Sequence, residues 1–549
     1  PHQMREIVCD VLVIGAGAAG IRAAYEAKKA APELDVALTC NGRLHSSGST
    51  NLDASEALGI NAPFNYMKDG DDTDTYYEDI ISTGDGLASP ELSRIVAEES
   101  CARLTELMEL GVKFETRQDR PFQQKLSGCT KARSLTCGGG TGLQITRALS
   151  KACLEEGVRT VENVRVLSLC QTADKKVCGA IGLAEGQPVT FAAKTVVLAT
   201  GGAGRIFARN VNPPDVAGDG WAMAAQAGAR FVNMEFFQIG PAVVKPEMRF
   251  IIHSHMWRFQ PKLTNARGEE FLSKYCPAGV SPEEVLKLKA MSYPFSVRTE
   301  AMYLDIAVFK EILSGKGTAN GGIYLDVTHI ETEEFLEKAP ITYHRFKKAG
   351  VDLRKDKIEL GLVVQNFNGG VQIDGNGYTG VQGLYAAGEV TGGVHGSDRP
   401  GGNNLTDTQI FGYRAGVSAA REAQKLARQK IGGGAPAELG RIEMNDRDKA
   451  ILEESRQLFY RELTVVRTAE GLKHVLEFVG RYLQEDVCIE VKNQLLVGSL
   501  LAQAMLIREE SRGTHYREDF PERREDCANR IVMRQEQNRQ ITVEIQEVQ

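Results

Sequence analysis

Cys9-Asp10-Val11-Leu12-Val13-Ile14-Gly15-Ala16-Gly17-Ala18-Ala19-Gly20 is the stretch that decides the fold. An apolar run of strand length ends directly in glycine, and an alanine-rich helical run continues to Lys29. GxGxxG between strand and helix has a specific physical use. Gly15 permits the tight turn, Gly17 lets a pyrophosphate reach the backbone, and Gly20 lets helix pack on strand. Ala16 and Ala19 complete the turn, and the helix N-terminus behind it faces the phosphates. A second strand over 35–39 follows, so a dinucleotide is expected here. The acidic residue that a nicotinamide dinucleotide would want at its end is absent; Thr39-Cys40-Asn41 stands there.

Two further apolar strands end in glycine. Thr195-Val196-Val197-Leu198-Ala199 runs into Thr200-Gly201-Gly202-Ala203-Gly204, which read alone is either a ligand-facing loop or an ordinary tight turn. Gly383-Leu384-Tyr385-Ala386-Ala387-Gly388-Glu389-Val390 precedes the glycine-rich segment 392–405, and a helix is expected from Asp407 to about Ala427. One nucleotide domain drawing strands from both parts of the chain requires an insert between them, at about 242–350.

Composition sets the outer limits. Of 549 residues 42% are hydrophobic and 25% charged, as in an ordinary globular enzyme. A net charge of −7 disfavours a nucleic-acid binder, and no apolar window is long enough for a membrane span. Pro1-His2-Gln3-Met4 lacks a secretory pattern, so a cytoplasmic location is expected. The eleven cysteines lie at least eight residues apart, so no CxxC pair exists. They read as reduced, mostly buried thiols, without an iron–sulfur cluster on this chain.

The three clusters, in this order, carry a resemblance. The chain resembles the flavoprotein subunit of the fumarate reductase/succinate dehydrogenase family, with L-aspartate oxidase as a member and adenylylsulfate reductase as a distant one. The marks are GAGAAG at 15–20, LATGGAGRIF at 198–207, GDGWAMAAQAGA at 218–229, GLYAAGEV at 383–390, HGSDRPGGNNL at 395–405 and EESRGTHYREDFPER at 509–523. The resemblance implies an α/β fold: a Rossmann-like FAD-binding domain (5–241 and 351–431), an inserted α+β capping domain (242–350) and a C-terminal helical domain (440–535). It also implies bound FAD, with Gly15, Ala16, Gly17, Ala19, Gly20, Ser47, Ser49, Thr200, Gly201, Gly202, Asp219, Gly388, Glu389, Asn404 and Leu405 around it. The position of the family's covalent flavin histidine falls on Gly48, so the FAD is expected to be non-covalent, with His45 a bystander.

The implied chemistry is hydride exchange between flavin and one carbon of an activated double bond, with an arginine moving the proton at the other carbon. Arg298 falls at that arginine's position. The role demands burial and a carboxylate relay; Glu300 is a candidate, since the family aspartate just after the arginine is Thr299 here. The other reading of Arg298 is a surface arginine near a helix start. Arg399 matches the carboxylate-anchoring arginine, whose planar fork suits bidentate binding, and His395 matches a histidine in the same loop.

Other family positions are lost. One substrate histidine is Gly240, the histidine before a glycine pair is Gln365, and the threonine–glutamate pair falls on His253-Ser254. One carboxylate clamp is thus dismantled and the other kept, which argues against fumarate as substrate. Gly240 opens volume, and Trp257 and Phe259 either wall the pocket or pack the cap core. On a strand, His253 and His255 would share a face; substrate contact and a structural role both fit, while no third ligand completes a metal site.

Three functions follow. The first is an FAD-dependent reductase or dehydrogenase acting at a carbon–carbon bond of a carboxylate other than fumarate, fed by a separate electron-transfer protein such as an iron–sulfur subunit. The second is an oxidase or dehydrogenase at a carbon–nitrogen bond, like L-aspartate oxidase. The third is a catalytically retired flavoprotein subunit. Apolar residues at helical spacing (Leu452, Leu458, Leu463; Leu472, Leu476, Val479, Leu483) mark 445–510 as helical, and the mixed-charge end at 508–540 reads as a solvated helical face.

Overall fold

The computed structural model describes residues 5–44, 59–210, 216–248, 250–252, 254–428 and 439–548. The opening strand Val11–Ile14 lies at the centre of a five-stranded sheet with the order Leu384–Ala386, Thr195–Leu198, Val11–Ile14, Val36–Thr39, Arg159–Val161. All its pairings are parallel, so the strands, buried on both faces, are continuous apolar runs rather than alternating ones. The three glycine clusters follow strands of this one sheet, two from the first part of the chain and one from beyond residue 380.

Helix Ala18–Ala30 packs tightly against helix Asn403–Gln424. A Cβ on Gly416 would lie 2.2 Å from the Ala23 carbonyl oxygen, so only a bare α-carbon fits there. The long-range contact ties the start of the chain to the segment carrying Asn404 and Leu405. A second sheet (Arg5–Val8, Gln187–Ala192, Val177–Ala184, Arg165–Gln171) lies beside the first.

The inserted region is built on an antiparallel sheet in the order Phe237–Lys245, Ile358–Phe367, Ile323–Asp326, Lys262–Thr264. Strand Phe237–Lys245 runs unbroken through the expected boundary at 241/242, and its partner Ile358–Phe367 starts beyond the other expected boundary at 350. Helices Pro282–Lys289 and Met302–Glu311 form within this region, the first capped by Ser281. Between them lies a fully buried ion pair, Lys289 Nζ to Asp305 Oδ2 at 2.8 Å.

Helices Asp446–Leu463, Ala469–Leu483 and Ile489–Ile507 follow the apolar spacing. The first starts with a reciprocal Asn445–Asp448 capping box. The last is apolar on all sides because it is buried on nearly all sides.

The segment after it departs from the expected solvated helix. Arg508, Arg512 and Arg517 are buried, and Arg508 joins Glu235 at 2.7 Å and Glu510 at 2.8 Å. Arg467 meets His515 Nδ1 at 2.6 Å. Charge density alone could not show that these ions satisfy one another inside the protein. Residues Asn529–Gln535 and Ile541–Glu547 then form a hairpin that joins Arg230–Val232 in a mixed five-stranded sheet. No helix among the described residues is long and apolar enough to cross a membrane.

Candidate functional site

The glycine loops converge as the fingerprint requires. Gly15 has φ +112°, and a Cβ there would lie 2.0 Å from the Ala199 oxygen. A Cβ on Gly20 would overlap the Gly15 carbonyl, at 1.7 Å, and one on Gly388 would meet Ala19 at 2.7 Å. Loops 15–20, 199–202 and 388–389 therefore touch through bare backbone. Gly202 lies under the Glu389 carboxyl, where a Cβ would be 2.2 Å from Oε2. Thr200 rests on Gly220, and Gly402, at the start of helix Asn403–Gln424, rests on Asn61.

A cavity opens beside these loops. Its lining includes Asn368, Glu389, His395, Arg399, Asn404 and Asp407. Several of its polar atoms are buried with no hydrogen-bond partner among the described residues: Glu389 Oε2, Asp407 Oδ1 and both side-chain heteroatoms of Asn368. Nearby, Thr200 Oγ1 is in the same condition. An unpaired buried polar group costs roughly 1–3 kcal/mol, so a cluster of them calls for a ligand rich in hydroxyl and amide groups. The sugar and ribityl hydroxyls and the ring edge of FAD have that chemistry, and the pyrophosphate suits the helix N-terminus at Ala18. Burial pushes the Glu389 carboxyl up to about 7 against the pull of Arg399. Burial likewise pushes Asp407 up to about 7.

Arg399 is 6% exposed. Among the described residues its side chain makes one hydrogen bond, donated by Nη2 to Gln238 Oε1 at 2.8 Å. Glu389, Asp407 and Asp398 surround it, and burial lowers its pKa against their attraction. His395 is buried, and burial and Arg399 together hold its pKa well below the ordinary value, so it is neutral. Its Nε2 faces the Asn403 amide at 3.2 Å, and Asn403 is fixed in turn by Asn61 and Tyr76. A neutral imidazole beside a buried guanidinium suits an anionic ligand.

The cap side differs from expectation at several residues. Arg298 is exposed rather than buried, and so is Glu300. Gly240 opens no volume, because Tyr293 fills it: a Cβ on Gly240 would lie 2.5 Å from the phenol oxygen. Trp257 and Phe259 are buried in the cap core, with the Phe259 ring tilted against Phe335 at 4.6 Å between centroids. His255 sits on the short helix Ser254–Trp257, not on a strand, and its Nε2 faces Thr342 at 2.8 Å. Asp219 turns its carboxylate to Arg165 at 2.8 Å, an ion pair that holds it against strand Arg165–Gln171. His253, His45, Ser47, Gly48 and Ser49 lie outside the described residues. Leu405 is buried, and among the described residues no cluster could hold a metal ion.

Sequence reasoning missed Gln238, Asn368 and Asp407. Gln238 precedes Ile239-Gly240 on a strand otherwise read for its losses. For Asp407 a signal existed: an acid on the apolar face of helix Asn403–Gln424, with Leu405, Ile410 and Phe411 buried about it.

A parallel sheet whose strand ends carry a dinucleotide loop, with buried orphan acceptors and an anion-binding arginine beside it, defines an FAD-dependent oxidoreductase. Residues 10–405 match the family model described as FAD binding domain, and 484–549 the one described as Fumarate reductase flavoprotein C-term. The chain is 34% identical to one subunit of the fumarate reductase (CoM/CoB) of Methanothermobacter marburgensis, over 96% of this chain and 97% of that protein. It is 30% identical to L-aspartate oxidase of Caulobacter vibrioides, over 93% of each. Among solved structures, Mycobacterium smegmatis Sdh1 in complex with UQ1 superposes with a TM-score of 0.86 at 29% identity, covering 100% of this chain and 95% of that one. The chain belongs to the fumarate reductase/succinate dehydrogenase flavoprotein family, and its cofactor is FAD.

Proposed function

We propose that the protein moves a hydride to or from one carbon of a carbon–carbon bond in a carboxylate-bearing substrate other than fumarate. The observation that carries this is the Arg399 guanidinium, buried at the cavity with one hydrogen bond from its side chain among the described residues, to the neutral Gln238 amide, and a fork left for an anion. Bound FAD, held non-covalently, supplies the hydride acceptor or donor. Arg399 binds and orients one carboxylate, and neutral His395 adds a hydrogen bond without a competing charge. Arg298 holds the proton for the second carbon; substrate filling the space below the cap provides the dryness this needs.

The second clamp has become uncharged. Gln365 Oε1 is buried without a partner among the described residues, and Tyr293 occupies the space over Gly240. A neutral amide and a phenol suit a far end that is not a second carboxylate. Electrons reach the flavin from a separate protein, such as an iron–sulfur subunit; the Methanothermobacter relative is by name one subunit of a larger enzyme, which supports an assembly of this kind. A cytoplasmic location goes with this reading.

The test is re-oxidation of the dithionite-reduced holoprotein, without oxygen, by crotonate, cinnamate and fumarate. Re-oxidation by a monocarboxylate and not by fumarate is expected. Rapid turnover of fumarate overturns the substrate assignment, and no turnover of any acid overturns the reaction class. The 30% identity to L-aspartate oxidase favours a second reading, oxidation of a carbon–nitrogen bond; hydrogen peroxide released with L-amino acids would decide for it.

A further inference from the structure

Arg298 is exposed, and a long exposed side chain is costly to hold in one place. Its position in the proposed reaction demands a fixed partner. Thr299 cannot be that partner, and Glu300 is itself exposed. Gly513 and Thr514, two consecutive residues of the C-terminal segment, hold the cap and the flavin domain together. The Gly513 carbonyl accepts from the Val297 N–H at 2.8 Å, and the Thr514 N–H donates to the Ser397 carbonyl at 3.0 Å. Gly513 has φ +54°, and a Cβ there would lie 2.3 Å from the Ser397 oxygen, so the junction requires glycine. Residues 296–298 of the cap and 397–399 of the arginine loop thus flank the same dipeptide.

Asp398 lies at the centre of this junction. It is 5% exposed, and its Oδ1 accepts the Arg399 N–H at 2.9 Å. Among the described residues, the charged and polar side chains that act on it most are Arg298 and Ser296 from the cap and Arg399 from its own loop. The C-terminal segment contributes uncharged Gly513 and Thr514. Ser296 is buried, and its hydroxyl also receives the Arg298 N–H at 3.3 Å.

We propose that Asp398 is the carboxylate that positions Arg298 over the substrate site, across the seam between cap and flavin domain. The inference rests on the proposed role of Arg298. Asp398 does this only when ionised, so turnover falls as pH falls through its titration. Burial raises that titration above the ordinary aspartate range, while Arg298 pulls it down.

The experiment uses the FAD-loaded full chain in two arms. In the first, the carboxyl band of Asp398 is followed by infrared difference spectroscopy across pH, identified by its loss in Asp398→Asn. Arg298→Ala should move the midpoint up by about one pH unit, since an opposite charge is removed; an unmoved midpoint overturns the pairing. In the second, the monocarboxylate that re-oxidises the flavin is used to record pH profiles. Asp398→Asn should lower kcat about 10²-fold with KM unchanged and abolish its share of the acid limb, and Asp398→Glu should restore part of both. An acid limb that survives intact in Asp398→Asn belongs to Glu389 or Asp407 and overturns the proposal. Loss of turnover in Arg298→Ala alone overturns the positioning role and leaves Arg298 in place. Unchanged turnover in Arg298→Ala, or no acid turned over at all, overturns the parent reading and the positioning role with it.

Discussion

The floor and the cap of the site are built from opposite materials. The floor is polar and largely buried: Arg399, His395, Glu389, Asp407 and Asn368 line a cavity, and several of their atoms have no partner among the described residues. The cap face is packed instead: Trp257 and Phe259 lie in its core, Tyr293 covers Gly240, and His255 is turned toward Thr342. The difference teaches which side is committed to chemistry. Unpaired buried polarity costs stability and persists where a ligand repays it, whereas close packing serves the fold itself.

Substitutions on the two sides have different consequences. Trp257→Ala should cost about 4 kcal/mol of stability by leaving a cavity in the cap, measured by denaturant unfolding. A loss under about 1 kcal/mol would mean the side chain packs less tightly than its burial implies. Arg399→Lys should keep the flavin and lower kcat/KM roughly 10²-fold, about 3 kcal/mol, because a point charge replaces a planar fork. Unchanged kinetics would take Arg399 out of the substrate site.

The pH dependence has a definite sign. Glu389 holds its proton more tightly in the folded protein, with its pKa raised from 4.5 to about 7. The stabilisation is therefore full below 4.5 and lost as pH rises toward 7, on the order of 3 kcal/mol. Calorimetry of flavin-free protein should show this fall in Tm, reduced in Glu389→Gln to the share contributed by Asp407. An equal slope in the variant would assign the effect elsewhere. The smallest effect belongs to the cap face: Gly240→Ala should cost about 2 kcal/mol by driving a methyl into Tyr293. Tyr293→Leu in the same chain should recover part of it, as a double-mutant cycle would measure.

Much of the floor was legible in the sequence because its constraints are local. A strand ending in glycines at fixed spacing defines a backbone shape within a few residues, so Gly15, Gly20, Gly202 and Gly388 stand where the motifs implied. The cap was legible only as family positions lost. Nothing adjacent to Gly240 in the chain shows that Tyr293, more than fifty residues on, fills its space. The arginine-rich end resists reading for the same reason. Arg508 finds Glu235 across half of the chain, and a charge run without its partners looks like surface. Asp219 stands where its motif implies, but its carboxylate is claimed by Arg165 from another strand.

The C-terminal hairpin also dictates the order in which the protein can form. Phe231 pairs with Met533, so one sheet closes only across roughly 300 residues of intervening chain. Until residues 529–547 emerge from the ribosome, strand Arg230–Val232 has an open edge on that side, and the buried arginines ahead of the hairpin wait beside it. Folding therefore cannot be completed domain by domain, and a nascent chain halted before residue 529 exposes a template for mispairing.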